Sequence, residues 1–341
     1  MDLTDLGLTR HFRSQLTSGD DDTVGRVGEV HRDRIVVRTS GKDIALTLRS
    51  GRTTGEVAVG DWVTFDAESS TLRDVLERRT SLGRRAAGSG SGEQLIAANV
   101  DTMFIVTSCN ADFNLARLER YLTLAATGGI MPVIVLTKAD LVDDADDYRR
   151  KVERLSPIVT AVTVNALDVE SLDQLGSWLR GGDTGVLVGS SGVGKSTILN
   201  ALTGAELTTR SIREDDAKGR HTTTSRALKQ TRTGGWLIDT PGIRQLALFD
   251  SADAIDEVFT DVSELLENCR FSDCSHETEP GCAVRAAIEN GLLEPDRLRR
   301  WRKLHLEDRY SVETAEEKRT RQKAFSKQVR SAIDGRRGSK R

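Results

Sequence analysis

No stretch of this sequence is long and apolar enough to cross a bilayer. The longest uninterrupted apolar run, Ile130 to Leu136, includes Pro132 and falls far short of the ~18 residues a span requires. The start, Met1 to Phe12, carries Asp2 and Asp5 and has none of the apolar core of a secretory signal, so a cytoplasmic protein with no membrane partner is expected. Cysteine is sparse: the 341 residues hold Cys109, Cys269, Cys274 and Cys282 and no others. Three of these crowd with His276 into residues 269–282, and in a reducing compartment such clustering suggests metal before disulfide. Net charge is low, −3 with a pI near 6.1, which alone predicts no polyanionic partner. Core-forming residues are present in ordinary amount. Hydrophobic residues make up 37% and there are 30 glycines, which excludes global disorder, and at roughly 100–200 residues per domain the length argues for two or three domains.

The charge average conceals a gradient: residues 295–341 carry 16 Lys and Arg against 7 Asp and Glu, a local +9 suited to a polyanion. Residues 1–20 are polar and read as a mobile segment. Residues 21–82 read as a small OB-type β-barrel of five short strands, Val24–His31, Arg34–Thr39, Asp43–Leu48, Asp61–Phe65 and Thr71–Leu76; an SH3-like barrel gives a similar pattern. Arg26, Arg32, Arg34, Arg38 and Arg49 are candidate phosphate contacts there, against the alternative of solvated surface charge. Residues 83–94, rich in Gly, Ser and Ala, read as a flexible linker. In residues 95–250, apolar runs at Met103–Val106, Val133–Leu136, Ile158–Val164, Val186–Val188 and Trp236–Ile238 alternate with helical patterns such as Leu115, Leu118, Tyr121, Leu122 and Ala125. That is a doubly wound α/β domain with buried, mainly parallel strands. Residues 251–341 turn helical, first acidic and then basic, around the Cys/His cluster.

Gly189-Ser190-Ser191-Gly192-Val193-Gly194-Lys195-Ser196 fits G-x-x-x-x-G-K-[ST] in full, between an apolar strand and a helical run from Ser196 to Leu202. In such a loop glycines let backbone N–H groups point at the β-phosphate, Lys195 bridges β and γ oxygens, and Ser196 offers its hydroxyl to Mg²⁺; Thr197 completes the expected phosphate contacts. Asp239-Thr240-Pro241-Gly242 follows the strand Trp236–Ile238, which suits a switch II element: Asp239 reaching Mg²⁺ through water, Gly242 giving its N–H to the γ-phosphate. The polar stretch between them, Arg210–Arg226, contains Thr222, Thr223 and Thr224, and Thr223 is the expected switch I ligand of Mg²⁺. Thr137-Lys138-Ala139-Asp140 fits the guanine motif [NT]-K-x-D. Asp140 accepts from guanine N1–H and the exocyclic amine together while the Lys138 stem packs along the ring; adenine presents neither donor. Without its context TKAD is a turn with a capping Asp. Asn165 and Ala166, after the next strand, are the expected backbone donors to guanine O6.

A conventional GTPase meets P-loop, switch I, switch II and base motif in that order. Here Asp140 comes first, then Asn165–Ala166, the P-loop, Thr223 and Asp239, so a circularly permuted P-loop domain is expected. Switch II then leads from Gly242 directly toward Cys269, and γ-phosphate loss can act on the C-terminal domain. Barrel, permuted GTPase and a C-x4-C-x-H-x5-C cluster together resemble the ribosome small-subunit-dependent GTPases of the RsgA/YjeQ family over about Val24 to Trp301. The matching motifs are Thr137–Asp140, Gly189–Ser196, Gly219-Arg220-His221-Thr222-Thr223-Thr224, Asp239–Gly242 and Cys269, Cys274, His276, Cys282; Thr137 stands in place of Asn, and Asn165 where Ser is common. The resemblance implies a cytoplasmic factor in late maturation of the bacterial small (30S) subunit, whose weak GTPase is stimulated by that subunit. Its implied partners are GTP and GDP, the small subunit and its rRNA, with the chain acting as a monomer.

Ile243 follows Gly242 where Ras-like enzymes carry the water-positioning glutamine, so another group must orient the water. His221, two residues before Thr223 and part of the family's switch I motif, is the candidate, against a solvent-facing loop histidine; Lys195, Gly242 and His221 form the expected catalytic set. Cys269, Cys274, His276 and Cys282 suit one tetrahedral structural Zn²⁺; iron–sulfur binding would want a fourth cysteine, and Cys109 reads as a core residue. Trp301, Tyr310 and Phe325 among the basic residues suit an RNA-contacting helix. Two rivals stand beside the small-subunit reading: a large-subunit assembly GTPase, and a nucleotide-gated RNA-binding module with incidental hydrolysis.

Overall fold

The computed structural model describes the chain apart from residues 1, 18–19, 21, 50, 86–92, 158, 205–225, 240–247, 249 and 313–341, with backbone only at 84, 85 and 93. The N-terminal segment, expected to be mobile, is packed. Leu3, Leu6, Leu8 and Phe12 are buried, Phe12 on the short helix α1 (Arg10–Arg13) with its ring 5.7 Å from that of Trp62, and the Trp236 indole N–H donates to the Asp5 carbonyl at 2.8 Å. Four apolar side chains among polar ones suffice to seat a short segment in the core that also holds Val24, Trp62 and Trp236.

Five short strands follow: β1 (Val24–Val30), β2 (Ile35–Arg38), β3 (Asp43–Leu46), β4 (Trp62–Asp66) and β5 (Thr71–Val75). β1 pairs with β2 and β4, β2 with β3, and β4 with β5, all antiparallel; a parallel bridge from Thr47 to Thr71 joins the end of β3 to β5. The ring therefore closes in the order β1-β2-β3-β5-β4. Val27, Ile35, Val37, Leu46, Val63, Phe65 and Leu72 fill it, as the period-two alternation of these strands requires. The expected linker is in part ordered: β6 (Ser81–Arg85) and β7 (Glu93–Ala98) pair antiparallel, with Gly83 opposite Leu95.

The α/β portion consists of β8 (Thr102–Ser108), helix α2 (Leu115–Thr127), β9 (Met131–Thr137), α3 (Ala145–Glu153), β10 (Thr160–Val164), α4 (Val169–Asp173), β11 (Thr184–Val188), α5 (Lys195–Thr203), β12 (Ala227–Gln230) and β13 (Trp236–Asp239). The sheet order is β10-β9-β8-β11-β13-β12, parallel up to β13, and β8 and β11 are buried along their whole length, which is why they read as unbroken apolar runs. β12 is antiparallel to β13 and had no signal in the sequence. It also meets β1 at Glu29–Ala227, so the ring and the α/β sheet are one continuous sheet.

Two of the arginines considered as phosphate contacts serve this junction instead. Arg26 is 2% exposed, and its guanidinium donates to the carbonyls of Gly60, Leu6 and Asn99 and to Thr184 Oγ1; burial draws its pKa down to about 10. Arg38 donates to the Leu228 carbonyl at 2.8 Å and lies over the Trp236 ring.

The C-terminal part is helical: α6 (Ala252–Val258), α7 (Thr260–Glu267), α8 (Ala283–Glu289) and α9 (Pro295–Val312). α9 fastens it to the α/β body through Glu119 of α2, a fully buried carboxylate. Arg297 Nη1 reaches Glu119 at 2.7 Å and Arg300 Nε at 2.7 Å; Arg297 also donates to Asp261 and to the carbonyls of Leu155 and Val258. Part of the basic tail is thus spent inside the protein. Trp301, expected to face RNA, donates its indole N–H to Asp256 at 2.9 Å and packs with its ring tilted against that of His305, which itself bonds Asp256. Phe325 lies outside the described residues.

Candidate nucleotide site and metal cluster

Parallel strands place their C-terminal ends on one edge, and a doubly wound sheet builds its ligand site there. β8, β9, β10, β11 and β13 end at Ser108, Thr137, Val164, Val188 and Asp239, which brings the guanine motif, the Asn165–Ala166 loop, the P-loop and Asp239 to that edge despite their permuted order. The P-loop turns through three glycines with positive φ: Gly189 (+137°), Gly192 (+80°) and Gly194 (+100°). A Cβ on Gly189 would sit 2.1 Å from the Val106 carbonyl oxygen, so the loop passes β8 at a distance only glycine permits. Gly194 caps α5, whose buried Ile198, Leu199 and Leu202 anchor it to the sheet and leave its N-terminus facing the edge.

Gly189→Ala is accordingly expected to lose GTP binding by at least ~10-fold while keeping secondary structure, because the loop and β8 must separate before the side chain fits. Nucleotide titration by fluorescence, with circular dichroism as the fold control, checks it.

The guanine motif is tied to the phosphate loop by its own side chains. Thr137 is fully buried, and its hydroxyl donates to the Val193 carbonyl at 2.8 Å and approaches that of Thr107 at 3.3 Å. Threonine in place of asparagine therefore still braces the two loops. Lys138, held at φ +58°, donates from Nζ to the Gly192 carbonyl at 3.1 Å. A Cβ placed on Gly194 would lie 3.5 Å from Ala166 Cβ and 3.8 Å from Thr137 Cγ2, so both base loops converge on the end of the P-loop. Asp140 is exposed on a 3-10 turn, Ala139–Leu141, at this edge. The Asn165 N–H donates to Ser171 Oγ and its Oδ1 accepts from the Leu167 N–H, so this residue is engaged in shaping its own loop.

Lys195 Nζ donates to the carbonyls of Gly189, at 2.9 Å, and of Ser190. Ser191 and Ser196 are exposed, while Val193 is buried and pins the loop. Asp239 accepts a 2.8 Å ion pair from Lys229 of β12, a partner the sequence did not announce because β12 itself was not foreseen. His221, Thr223 and Gly242 lie outside the described residues.

Cys269, Cys274, His276 and Cys282 come together as expected: their ligand atoms all lie within 4.8 Å of one another. Both Cys269 Sγ and Cys282 Sγ are 3.5 Å from His276 Nδ1, and the two sulfurs are 4.0 Å apart. A tetrahedral ion with metal–sulfur bonds near 2.3 Å and a metal–nitrogen bond near 2.0–2.1 Å places sulfurs about 3.8 Å apart and sulfur and nitrogen about 3.6 Å apart. The cluster is compatible with zinc on that measure. Cys109 belongs elsewhere; it is buried after β8, and burial pushes its thiol up to about 11.

A family model described as RsgA GTPase matches residues 75–249. The small ribosomal subunit biogenesis GTPase RsgA 2 of Vibrio parahaemolyticus is 47% identical over 338 residues, 98% of this chain and 94% of that protein. The small ribosomal subunit biogenesis GTPase RsgA of Mesorhizobium japonicum is 48% identical over 315 residues, 91% of each chain. Among solved structures, YjeQ from Thermotoga maritima aligns with a TM-score of 0.60 at 27% identity, over 83% of this chain and 96% of its own. YloQ, described as a circularly permuted GTPase, aligns with a TM-score of 0.59 at 25% identity, over 87% of this chain and 99% of its own. Likeness that runs nearly the length of these proteins, on a sheet whose guanine loop precedes its phosphate loop in the chain, means that this protein belongs to the RsgA GTPase family.

Proposed function

We propose that this GTPase acts in late assembly of the bacterial small ribosomal subunit, binding GTP and Mg²⁺ through the permuted site and rRNA through its flanking parts. The observation that carries the reading is the double tie of the guanine motif to the P-loop, Thr137 to Val193 and Lys138 to Gly192, in a chain so similar to proteins named for that assembly. In this reading Thr137, Lys138 and Asp140 select guanine, and the Ala166 N–H meets its O6, since the Asn165 N–H is taken by Ser171. Backbone N–H groups from Gly189 to Thr197 take the phosphates. Lys195 exchanges its carbonyl partners for β and γ oxygens, and Gly242 gives its N–H to the γ-phosphate. Ser196, Thr223 and Asp239 offer the hard oxygen donors Mg²⁺ favours, and the ion when bound neutralises charge on the phosphates. His221 orients the attacking water. His221→Ala is then expected to keep GTP affinity and lose most of a subunit-driven stimulation of about 10³- to 10⁵-fold, measured as turnover with and without small subunits.

The ring order β1-β2-β3-β5-β4 supports an OB-type barrel, with Arg32, Arg34 and Arg49 exposed for rRNA. The Cys/His cluster is read as one structural Zn²⁺ in a helical C-terminal domain, and the chain as a cytoplasmic monomer. Hydrolysis lowers affinity for the subunit and releases the factor. GTP turnover compared with small subunits, large subunits and free rRNA tests the whole reading. Stimulation by large subunits alone would refute it in favour of a large-subunit factor, and RNA binding without rate enhancement would leave only a gated RNA-binding module.

A further inference from the structure

The segment between Cys274 and Cys282 must place His276 with φ +59°, a left-handed conformation that costs a non-glycine residue energy unless its surroundings hold it. One side chain does most of that holding. Glu279 Oε1 accepts the Ser275 N–H at 2.8 Å, and its Oε2 accepts the N–H groups of Glu277 and Thr278, each at 3.1 Å. Three backbone donors on both sides of His276 therefore converge on a single carboxylate. The opposite polarity of the same loop is met from α9, where Arg302 donates to the Ser275 carbonyl. Cys282 is fixed separately: it caps α8, its Sγ accepting the Arg285 N–H at 3.4 Å. The sulfurs of Cys269 and Cys282 thus stand beside helix α7 and at the start of α8, and the imidazole stands on a loop shaped by Glu279.

We propose that Glu279 is the positioning residue of the metal cluster, an internal template that aims His276 Nδ1 at the sulfurs before any ion is present. This rests on the reading of the cluster as a zinc site. Glu279 is not itself a ligand; its carboxylate is filled by the loop's own N–H groups. Removing it frees the loop to leave the left-handed turn, and the nitrogen ligand goes with it. Outer groups that orient a ligand in this way change metal affinity about 10- to 100-fold when removed.

The test uses the full chain purified with zinc, and its Glu279→Ala and Glu279→Gln variants, with Glu277→Ala as the neighbour control. Zinc content and the rate of zinc transfer to a chromogenic chelator are read directly, and Co²⁺ is exchanged in to record the visible spectrum of a three-sulfur, one-nitrogen tetrahedral site. The wild type and Glu277→Ala are expected to hold one zinc each. Glu279→Ala is expected to weaken zinc affinity about 10- to 100-fold and to shift the Co²⁺ bands as the nitrogen is lost. Glu279→Gln, which keeps one acceptor oxygen, falls between, and circular dichroism confirms that the rest of each variant is folded. If the wild type holds zinc and both Glu279 variants hold it as tightly with the same Co²⁺ spectrum, the role of Glu279 is refuted and the zinc reading stands. If the wild type takes up no zinc, the zinc reading and this inference fall together.

Discussion

Replacing Glu119 with alanine is expected to destabilise the protein by about 3–5 kcal/mol, among the largest effects any single substitution in the described residues would have. Glu119 is fully buried and faces Arg297 and Arg300, whose side chains are only 7% and 17% exposed. Without the carboxylate, Arg297 keeps Asp261 and two carbonyls but its Nη1 is left without the acceptor on α2, and Arg300 loses the partner its Nε reaches. Removing one member of a buried pair costs more than the pair contributes, because the survivor stays desolvated. Glu119→Ala combined with Arg300→Met is expected to recover part of the loss, since one stranded charge goes with it. Glu119→Ala with Arg297→Met recovers less, because Asp261 and the carbonyls of Leu155 and Val258 then lose their donor. Urea denaturation of the full chain measures both comparisons, and equal stability of wild type and Glu119→Ala would refute the account. α2 packs on β8 and β9, so the same clamp fixes the C-terminal helices to the body that carries the nucleotide loops.

The parts of this molecule that were legible in sequence are those whose physics is local. Strands buried on both faces announce themselves as apolar runs, and β8, β9 and β11 appear where Met103–Val106, Val133–Leu136 and Val186–Val188 placed them. The P-loop is legible because its glycines answer a backbone need, as the 2.1 Å approach at Gly189 demonstrates. Metal-ligand spacing is equally local, and the four ligand atoms do meet. What was hidden depends on distant pairing. β12 is a four-residue strand, ALKQ, with one buried side chain, and only its two neighbours in the sheet, one of them β1, give it form. Arg26 reads as a surface charge until Leu6, Gly60, Asn99 and Thr184, scattered over 178 residues of sequence, supply its acceptors. The segment from Leu3 to Phe12 is polar by count, yet four apolar positions out of ten bury it. Composition registers the polar residues, and packing follows the four apolar ones. Two arginines of the basic tail were hidden for the same reason. Net charge counts Arg297 and Arg300 as available to a polyanion, whereas Glu119 had already claimed them.

Asp140→Asn is expected to lower GTP affinity by about 10⁴-fold and, at the same time, to raise the affinity for xanthosine triphosphate. The argument follows from donors and acceptors. In the proposed site a carboxylate at residue 140 accepts from guanine N1–H and from the exocyclic amine; an asparagine retains one acceptor but turns its NH₂ toward that amine, donor against donor. Xanthine carries a carbonyl where guanine carries the amine, so the new NH₂ finds an acceptor while N1–H still finds the amide oxygen. The surrounding loop is expected to tolerate the change. Asp140 is exposed on its turn, and the motif is held to the phosphate loop by Thr137 on Val193 and Lys138 on Gly192, neither of which the substitution touches. The variant therefore keeps its phosphate site and exchanges only its base preference, which separates it from Gly189→Ala, where affinity for both nucleotides falls together. Competition titrations with GTP, ATP and xanthosine triphosphate read this directly. Undiminished GTP affinity in Asp140→Asn would place guanine recognition elsewhere on the sheet edge. Loss of GTP with no gain of xanthosine triphosphate would mean that residue 140 holds the loop rather than the base.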